Sequence, residues 1–181
     1  IGYSSPSRDG CGSVRRRVSS SAAGVIRARA RPKLLRTLAW IEARQGHYDA
    51  ASELATQVLD AYRRLRGPRH QQVALAFDLL GAIAGLRGDN AIAADYFEQA
   101  RVLAIDVYGA DHPFPAGIAV NLAKVEIHLG HLDRSETLLR DALDVLERTR
   151  GPADDSVAPV MSSLCELALE GGDIEQARSI Y

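Results

Sequence analysis

Cysteine is scarce in this sequence of 181 residues, and Cys11 and Cys165 are the only two. They lie far apart and form no Cys-x-x-Cys pair, which excludes a disulfide framework and a zinc knuckle. Because structural disulfides accumulate in oxidising compartments, this usage favours a cytoplasmic location.

Long apolar runs are missing as well. The most apolar stretch, residues 73–86, is 14 residues long and contains Asp78. A membrane-spanning helix needs about 20 apolar residues, so this stretch predicts a buried helix instead. We therefore expect no membrane contact.

Common catalytic motifs are also absent. The sequence contains no Gly-x-x-x-x-Gly-Lys-[Ser/Thr] loop, no Gly-x-Ser-x-Gly elbow and no His-Glu-x-x-His pair. We predict that the chain is not an enzyme, that it has no catalytic residues and that it needs no cofactor.

Charge is unevenly distributed along the chain. Residues 1–33 hold eight Lys or Arg against Asp9 alone, whereas the remaining 148 residues hold 14 Lys or Arg against 22 Asp or Glu. The basic, Ser/Gly-rich residues 1–32 predict a disordered or linker segment. Nucleic-acid binding through the run 15–17 is the alternative, but a solvated linker suits the composition better, so we expect no nucleic-acid partner.

An internal repeat with a period of 42 residues organises the rest of the chain. One set of glycines has this spacing: Gly46, Gly88, Gly130 and Gly172. A second glycine set and a leucine set share it: Gly67, Gly109 and Gly151, and Leu38, Leu80, Leu122 and Leu164. Repeats of this length are the signature of a solenoid of stacked supersecondary units.

Each unit predicts two helices, because apolar residues recur at helical spacing on both sides of the first glycine. The predicted helices are 33–45, 49–65, 71–87, 91–107, 114–129, 133–149, 156–170 and one that begins near 174. The glycines suit left-handed C-caps, and we expect Asp49, Asp89, Asp133 and Asp173 to cap the helices that follow. The predicted repeat units are 33–70, 71–112, 113–154 and a truncated 155–181.

These units resemble tetratricopeptide repeats. The pattern of that family places a leucine and a small residue before the corner glycine, then a small residue and an aromatic after it; the second unit has Leu80, Gly81, Gly88, Ala93 and Phe97. The stretch 108–143, with its Gly-x-Asp-His-Pro turn and Asn-Leu-Ala opening, is similar to the kinesin light chain type. The resemblance implies an all-α, right-handed α-solenoid of antiparallel helical hairpins over residues 33–181.

The resemblance also implies a function. Proteins of this family bind partners in a concave groove that the first helices line, so we interpret the chain as a protein–protein interaction scaffold. Carried over by register, the implied partner-binding residues are Arg36, Trp40, Arg44, Asp78, Asn121, Lys124, His128, Ser163 and Glu166. The alternative is a regulatory or sensor arm of a larger bacterial signalling enzyme or transcription regulator, whose catalytic or DNA-binding part lies outside this sequence.

Two groove residues carry specific expectations. Asn121 matches the asparagine that clamps a peptide backbone in family members, although Thr37, Leu79 and Ser163 hold that position in the other units. Trp40, the only tryptophan, suits an anchor for a partner and equally suits packing against the segment before residue 33.

Histidines raise two alternatives to pure architecture. Glu126, His128, His131 and Asp133 fall within eight positions, as a metal or acid–base site would require, but Gly130 interrupts them at a repeat corner. We therefore predict no metal site there. His70 and His112, with Asp154 in the equivalent position, could form a functional edge, and we favour a loop residue that bonds the turn backbone.

The last unit predicts a liability. Its second helix would be about half as long as its counterparts, and an uncapped solenoid end exposes apolar surface. We expect self-association through this truncated repeat.

Overall fold

The computed structural model describes residues 32–180, which form eight α-helices and no strand. They are α1 (Pro32–Arg44), α2 (Tyr48–Arg66), α3 (Gln71–Arg87), α4 (Asn90–Tyr108), α5 (Pro113–His128), α6 (Leu132–Arg150), α7 (Ala158–Glu170) and α8 (Ile174–Ser179). This confirms the all-α prediction. Residues 1–31 of the predicted linker lie outside the described part of the chain, and Pro32 is the first residue of α1.

Consecutive helices pack as antiparallel hairpins, α1 with α2, α3 with α4, α5 with α6 and α7 with α8. Each second helix also packs on the first helix of the next hairpin, so the hairpins stack into a solenoid. The first three second helices have 19 residues each, whereas α8 has six. Near this short helix, Leu169 and Ile174 are exposed.

Glycine closes every hairpin corner in the same way. Gly130 has φ +78°, a left-handed conformation, and Gly46, Gly88 and Gly172 share it. At this corner the amide of His131 donates to the Glu126 carbonyl over 2.9 Å, and the Gly130 amide donates to the Ile127 carbonyl. This is the Schellman C-cap, which a residue with a Cβ adopts only at a cost. The glycines recur every 42 residues because each hairpin corner needs a residue with positive φ.

The predicted caps by Asp49, Asp89 and Asp133 at the starts of α2, α4 and α6 are wrong. The residues before α2, α4 and α6 are His47, Asp89 and His131, and none of them makes a side-chain cap bond. Their ψ is near +61° instead of the extended value of an N-cap residue, so the side chain does not face the first turn. Asp89 instead pairs with Arg87 at 3.1 Å.

Side-chain caps occur at the other corner, between hairpins. His70 Nδ1 accepts from the amide of Gln72 at 3.1 Å, and His112 Nδ1 accepts from the amide of Phe114 at 3.0 Å. Asp154 accepts from the Ser156 amide at 2.9 Å in the equivalent place. The interpretation of the two histidines as loop residues that bond the turn backbone is confirmed.

Small residues allow the two helices of a hairpin to approach closely. Gly81 lies so near the Phe97 ring that a Cβ built on it would be 2.8 Å from Phe97 Cδ1. Ala39 and Ala123 are fully buried in the same position of their repeats. Cys165, in the same position of the last repeat, is partly exposed.

Candidate partner-binding groove

A cavity of about 630 Å³ lies against the inner surface of the first helices. Its floor is apolar and comes from α3, with Leu75, Leu79 and Ala82, while the Phe97 ring reaches it from α4. The polar walls are Arg36 and Trp40 from α1, Asp78 from α3, and Asn121 and Lys124 from α5. Five of the nine residues predicted from register therefore meet in one cavity.

A second cavity of about 550 Å³ continues from the first toward α7. It shares three wall residues with the first cavity, Asp78, Asn121 and Lys124. Beyond them it is lined by Phe114, Ile118 and Val120, and by Arg150 at the end of α6. The two cavities form one groove along three repeats, hereafter the concave groove, with the shared residues at its middle.

A hydrogen bond spans the middle of the concave groove. Asn121 Nδ2 donates to Asp78 Oδ1 at 3.0 Å, which links α5 to α3. Burial raises the pKa of the Asp78 carboxyl, and the bond from Asn121 lowers it in part. An amide has two N–H groups and a carbonyl oxygen, so Asn121 keeps one donor and its acceptor for a ligand.

Charge in the concave groove is mainly positive. Arg36, Lys124 and Arg150 line it, against the single carboxylate of Asp78. Trp40 stands at the end near α1 with 42 % of its surface exposed. An indole that is half covered by apolar neighbours and half open to solvent is typical of an interface anchor.

The other four predicted groove residues lie outside both cavities. Arg44 and His128 are exposed on the last turns of α1 and α5, and Glu166 is partly exposed on α7. Ser163 is only 1 % exposed and donates its hydroxyl to the Pro159 carbonyl at 2.9 Å, so it is not presented to the groove. Glu166 therefore contributes no carboxylate to the walls of the groove.

The histidines of the sequence segment VEIHLGHLDR lie in two different environments. Glu126 is buried and its Oε2 lies 2.6 Å from His131 Nδ1, while its Oε1 lies 2.7 Å from Arg134 Nη1. Glu42 and His47 repeat the carboxylate–imidazole pair in the first hairpin at 2.8 Å. His128 is exposed and takes no part. Within residues 32–180, no three His, Cys, Asp or Glu side chains are grouped as metal ligands would be.

Several residues that line the groove were not among those predicted from equivalent repeat positions. Leu75 lies one turn before Asp78 on α3, and Phe97 reaches the groove from a second helix, although register used first helices alone. Arg150 enters because α6 ends beside α7. The aromatic position of Phe97 in the repeat pattern was a usable signal, whereas nothing in the sequence marks Arg150.

Comparison with known proteins identifies the family. Two family models, both described as tetratricopeptide repeat, match residues 31–105 and 116–156. The chain belongs to the tetratricopeptide repeat family. Repeats of this family generally mediate protein–protein interaction and form a scaffold that is typically non-catalytic.

Solved structures share the fold. Nearly identical TPR-like repeats from Podosopora anserina, described as those of a kinesin light chain, are 18% identical with a TM-score of 0.72 over 83% of this chain and 73% of that chain. BtubC (BKLC) from P. vanneervenii is 22% identical with a TM-score of 0.74 over 93% of this chain and 70% of that chain. These tetratricopeptide repeats therefore have the fold of the kinesin light chain type.

Among curated proteins, none matches this repeat chain in sequence. None of the helices between residues 32 and 180 is both long enough and apolar enough to cross a membrane.

Proposed function

We propose that this tetratricopeptide array is a non-catalytic scaffold that binds a segment of a protein partner in the concave groove. The observation that carries the proposal is the continuity of the two cavities through Asp78, Asn121 and Lys124. A groove that runs along three hairpins suits an extended ligand better than a compact one, because the contacts are distributed along a line.

The lining supports recognition of a segment with mixed character. Ligand sites are mostly apolar with a few polar groups that fix orientation, and here Leu75, Leu79 and Ala82 form the apolar part. Asn121 has one N–H and its carbonyl oxygen available for the partner backbone. Trp40 supplies an aromatic anchor at one end.

The proposed partner segment carries acidic residues, with the acidic end at the first repeat. Arg36 lines the groove there, and Arg44 lies two turns further along α1, outside the cavity. Lys124 adds positive charge at the middle of the groove, whereas Arg150 at the other end is paired with Asp154 at 3.7 Å. Complementary charge steers association and sets the direction of binding more than it adds affinity.

Further parts of the proposal concern the cellular setting. We place the scaffold in the cytoplasm, because its two cysteines form no Cys-x-x-Cys pair. Leu169 on α7 and Ile174 on α8 are exposed and favour self-association at this end, which sedimentation of the chain over a range of concentrations would measure. A monomer throughout that range would contradict the self-association.

Peptide selection tests the groove directly. Peptides of about 12 residues would be selected from a displayed random library against the whole chain, and their affinities measured through Trp40 emission. We expect Arg36→Glu with Lys124→Glu to weaken binding about tenfold or more. Arg64→Glu with Arg140→Glu is the matched control, because both arginines are exposed and bond within their own helices, to Asp60 and Glu136. Equal binding by both variants would refute the groove.

The direction in which the acidic partner segment lies in the groove is tested by a second double variant. Arg36→Glu with Arg44→Glu should weaken acidic peptides and leave neutral ones nearly unchanged. If selected peptides carry no acidic residues, or if that double variant binds acidic peptides normally, the polarity is wrong while groove binding still stands.

A further inference from the structure

One face of α1 is apolar and uncovered. Leu34 is 60 % exposed, Leu38 47 % and Ile41 44 %, and their spacing places all three on one side of the helix. This α1 face lies away from Trp40 and from the concave groove, so it does not belong to the proposed partner site.

The other repeats show what such a face does. Each residue of this face has an equivalent in the three later repeats, at multiples of 42 positions. The equivalents of Leu34 are Ala76, Ile118 and Val160, and those of Leu38 are Leu80, Leu122 and Leu164. For Ile41 they are Ile83, Val125 and Leu167. All nine are buried except Leu164, which is partly buried. In each case the second helix of the preceding hairpin packs on the first helix that carries them.

The size of the α1 face bears on which occupant can hold it. Three half-exposed aliphatic side chains offer on the order of 300 Å², well below the ~800 Å² that each partner contributes to a standard stable interface. A separate copy of this chain would therefore bind weakly through this face alone. A segment already joined to α1 needs far less area, because its effective concentration is high.

The sequence next to Pro32 contains a matching stripe. Val18, Ala22, Val25 and Ile26 are spaced by four, seven and eight residues, which is the periodicity of one helix face. On a helix the positions 18 and 26 would be about 12 Å apart, and from Leu34 to Ile41 the α1 face is about 10 Å long. The five residues 27–31 between the stripe and α1 exceed the four-residue connection 67–70 that turns α2 into α3.

We propose that residues 18–26 of this chain cover the α1 face of Leu34, Leu38 and Ile41 and so end the solenoid. This stretch is not a preceding repeat unit in register. The residues 42 positions before the buried positions of α2 are polar: Asp9, Ser13, Arg16, Arg17 and Ser20. The occupant is a dedicated cap of different sequence, and it excludes a further hairpin from stacking on α1.

Thiol accessibility tests the cap in the full chain. Leu38→Cys would be introduced together with Cys11→Ser and Cys165→Ala, and its rate of labelling compared with that of Val102→Cys in the same background. Val102 is 54 % exposed on α4, so the structure without a cap predicts similar rates. We expect Leu38→Cys to react about tenfold more slowly, because the thiol is reached only when the cap opens.

Negative charge introduced into the stripe of residues 18–26 tests whether this segment is what covers the α1 face. Val25→Asp with Ile26→Asp should restore fast labelling of Leu38→Cys, whereas Ala23→Asp with Ala28→Asp, which adds the same charge off the stripe, should not. Hydrogen exchange of the α1 amides should increase in the first double variant alone, which gives a readout without an engineered thiol.

Three results would overturn the proposal. Labelling of Leu38→Cys as fast as Val102→Cys would show that nothing covers the α1 face. Protection that increases with protein concentration would assign the face to a second copy. Protection that persists in Val25→Asp with Ile26→Asp at every concentration would assign it to another part of the chain.

Discussion

Asn121 and Asp78 face each other across the middle of the concave groove, with Asn121 Nδ2 3.0 Å from Asp78 Oδ1. They come from α5 and α3, and are 43 residues apart in the chain. The bond therefore sets the relative position of two repeats at the point where the two cavities meet. The Asp78 carboxylate also holds the Asn121 amide in one orientation, so a ligand that binds Asn121 meets an amide that is already oriented.

Replacement of Asp78 tests how much the buried carboxylate lowers the free energy of unfolding. Burial raises the pKa of the Asp78 carboxyl, so the folded protein holds this proton more tightly than the unfolded chain does. The ionised form therefore lowers the free energy of unfolding at neutral pH, and this loss disappears as the pH falls below the ordinary value of 3.8. Asp78→Asn should be more stable than the parent at pH 7 and no more stable near pH 3.

Urea unfolding at the two pH values measures the Asp78 effect. Asp95→Asn is the control, because Asp95 is an exposed carboxylate on α4 and the same change there should leave the free energy of unfolding nearly constant. A destabilised Asp78→Asn at pH 7 would show that the carboxylate is worth more to Asn121 than its burial costs.

Gly81 and Phe97 predict a compensating pair of substitutions. A Cβ on Gly81 would lie 2.8 Å from Phe97 Cδ1, so Gly81→Ala should cost about 1–3 kcal/mol through overpacking. In the third repeat the equivalent positions hold Ala123 and Leu139, both buried. Adding Phe97→Leu to Gly81→Ala should therefore recover most of the loss. Thermal unfolding of both single variants and the double variant checks this, and additive losses would contradict the close contact.

Gly130 and Gly117 predict opposite outcomes for one substitution. Gly130 has φ +78°, where an L residue is strained, so Gly130→Ala should lower the free energy of unfolding by about 1–2 kcal/mol. Gly117 lies inside α5 with open space around its missing Cβ, so Gly117→Ala should raise it by about 0.5–1 kcal/mol. Denaturant midpoints of the two variants provide the comparison; changes of the same sign would contradict the left-handed corner.

His112 tests the cap between hairpins. Its Nδ1 accepts from the Phe114 amide at 3.0 Å, so His112→Ala should cost about 1 kcal/mol. His112→Asp should recover part of this, because Asp154 fills the same position with a carboxylate at 2.9 Å from the Ser156 amide. Recovery should be incomplete, since the aspartate cannot replace the stacking of His112 on Tyr108 at 4.5 Å. Identical melting temperatures for the two variants would exclude a capping role.

Helix positions were predictable because each repeat carries the same local signals. The predicted range 71–87 coincides with α3, and 133–149 differs from α6 by one residue at each end. Residue type alone did not predict the caps, because aspartate is common both at N-caps and in first turns. The ψ near +61° that decides between them follows from the Schellman corner before it.

The groove residues taken from the repeat pattern meet only in part. Arg36, Asp78 and Asn121 line one cavity, because a constant period keeps equivalent positions in line. Ser163 lies outside it, since a different local packing of the last hairpin buries this side chain.

By itself, then, the sequence determined the repeat, the eight helices and the glycine corners, since these depend on residue type and spacing within one hairpin. Only the tertiary structure decided which side chains share the groove, that Asn121 bonds Asp78, and that the α1 face is uncovered. Those features depend on how successive hairpins stack, and small differences in helix length and side-chain volume change them without changing the period.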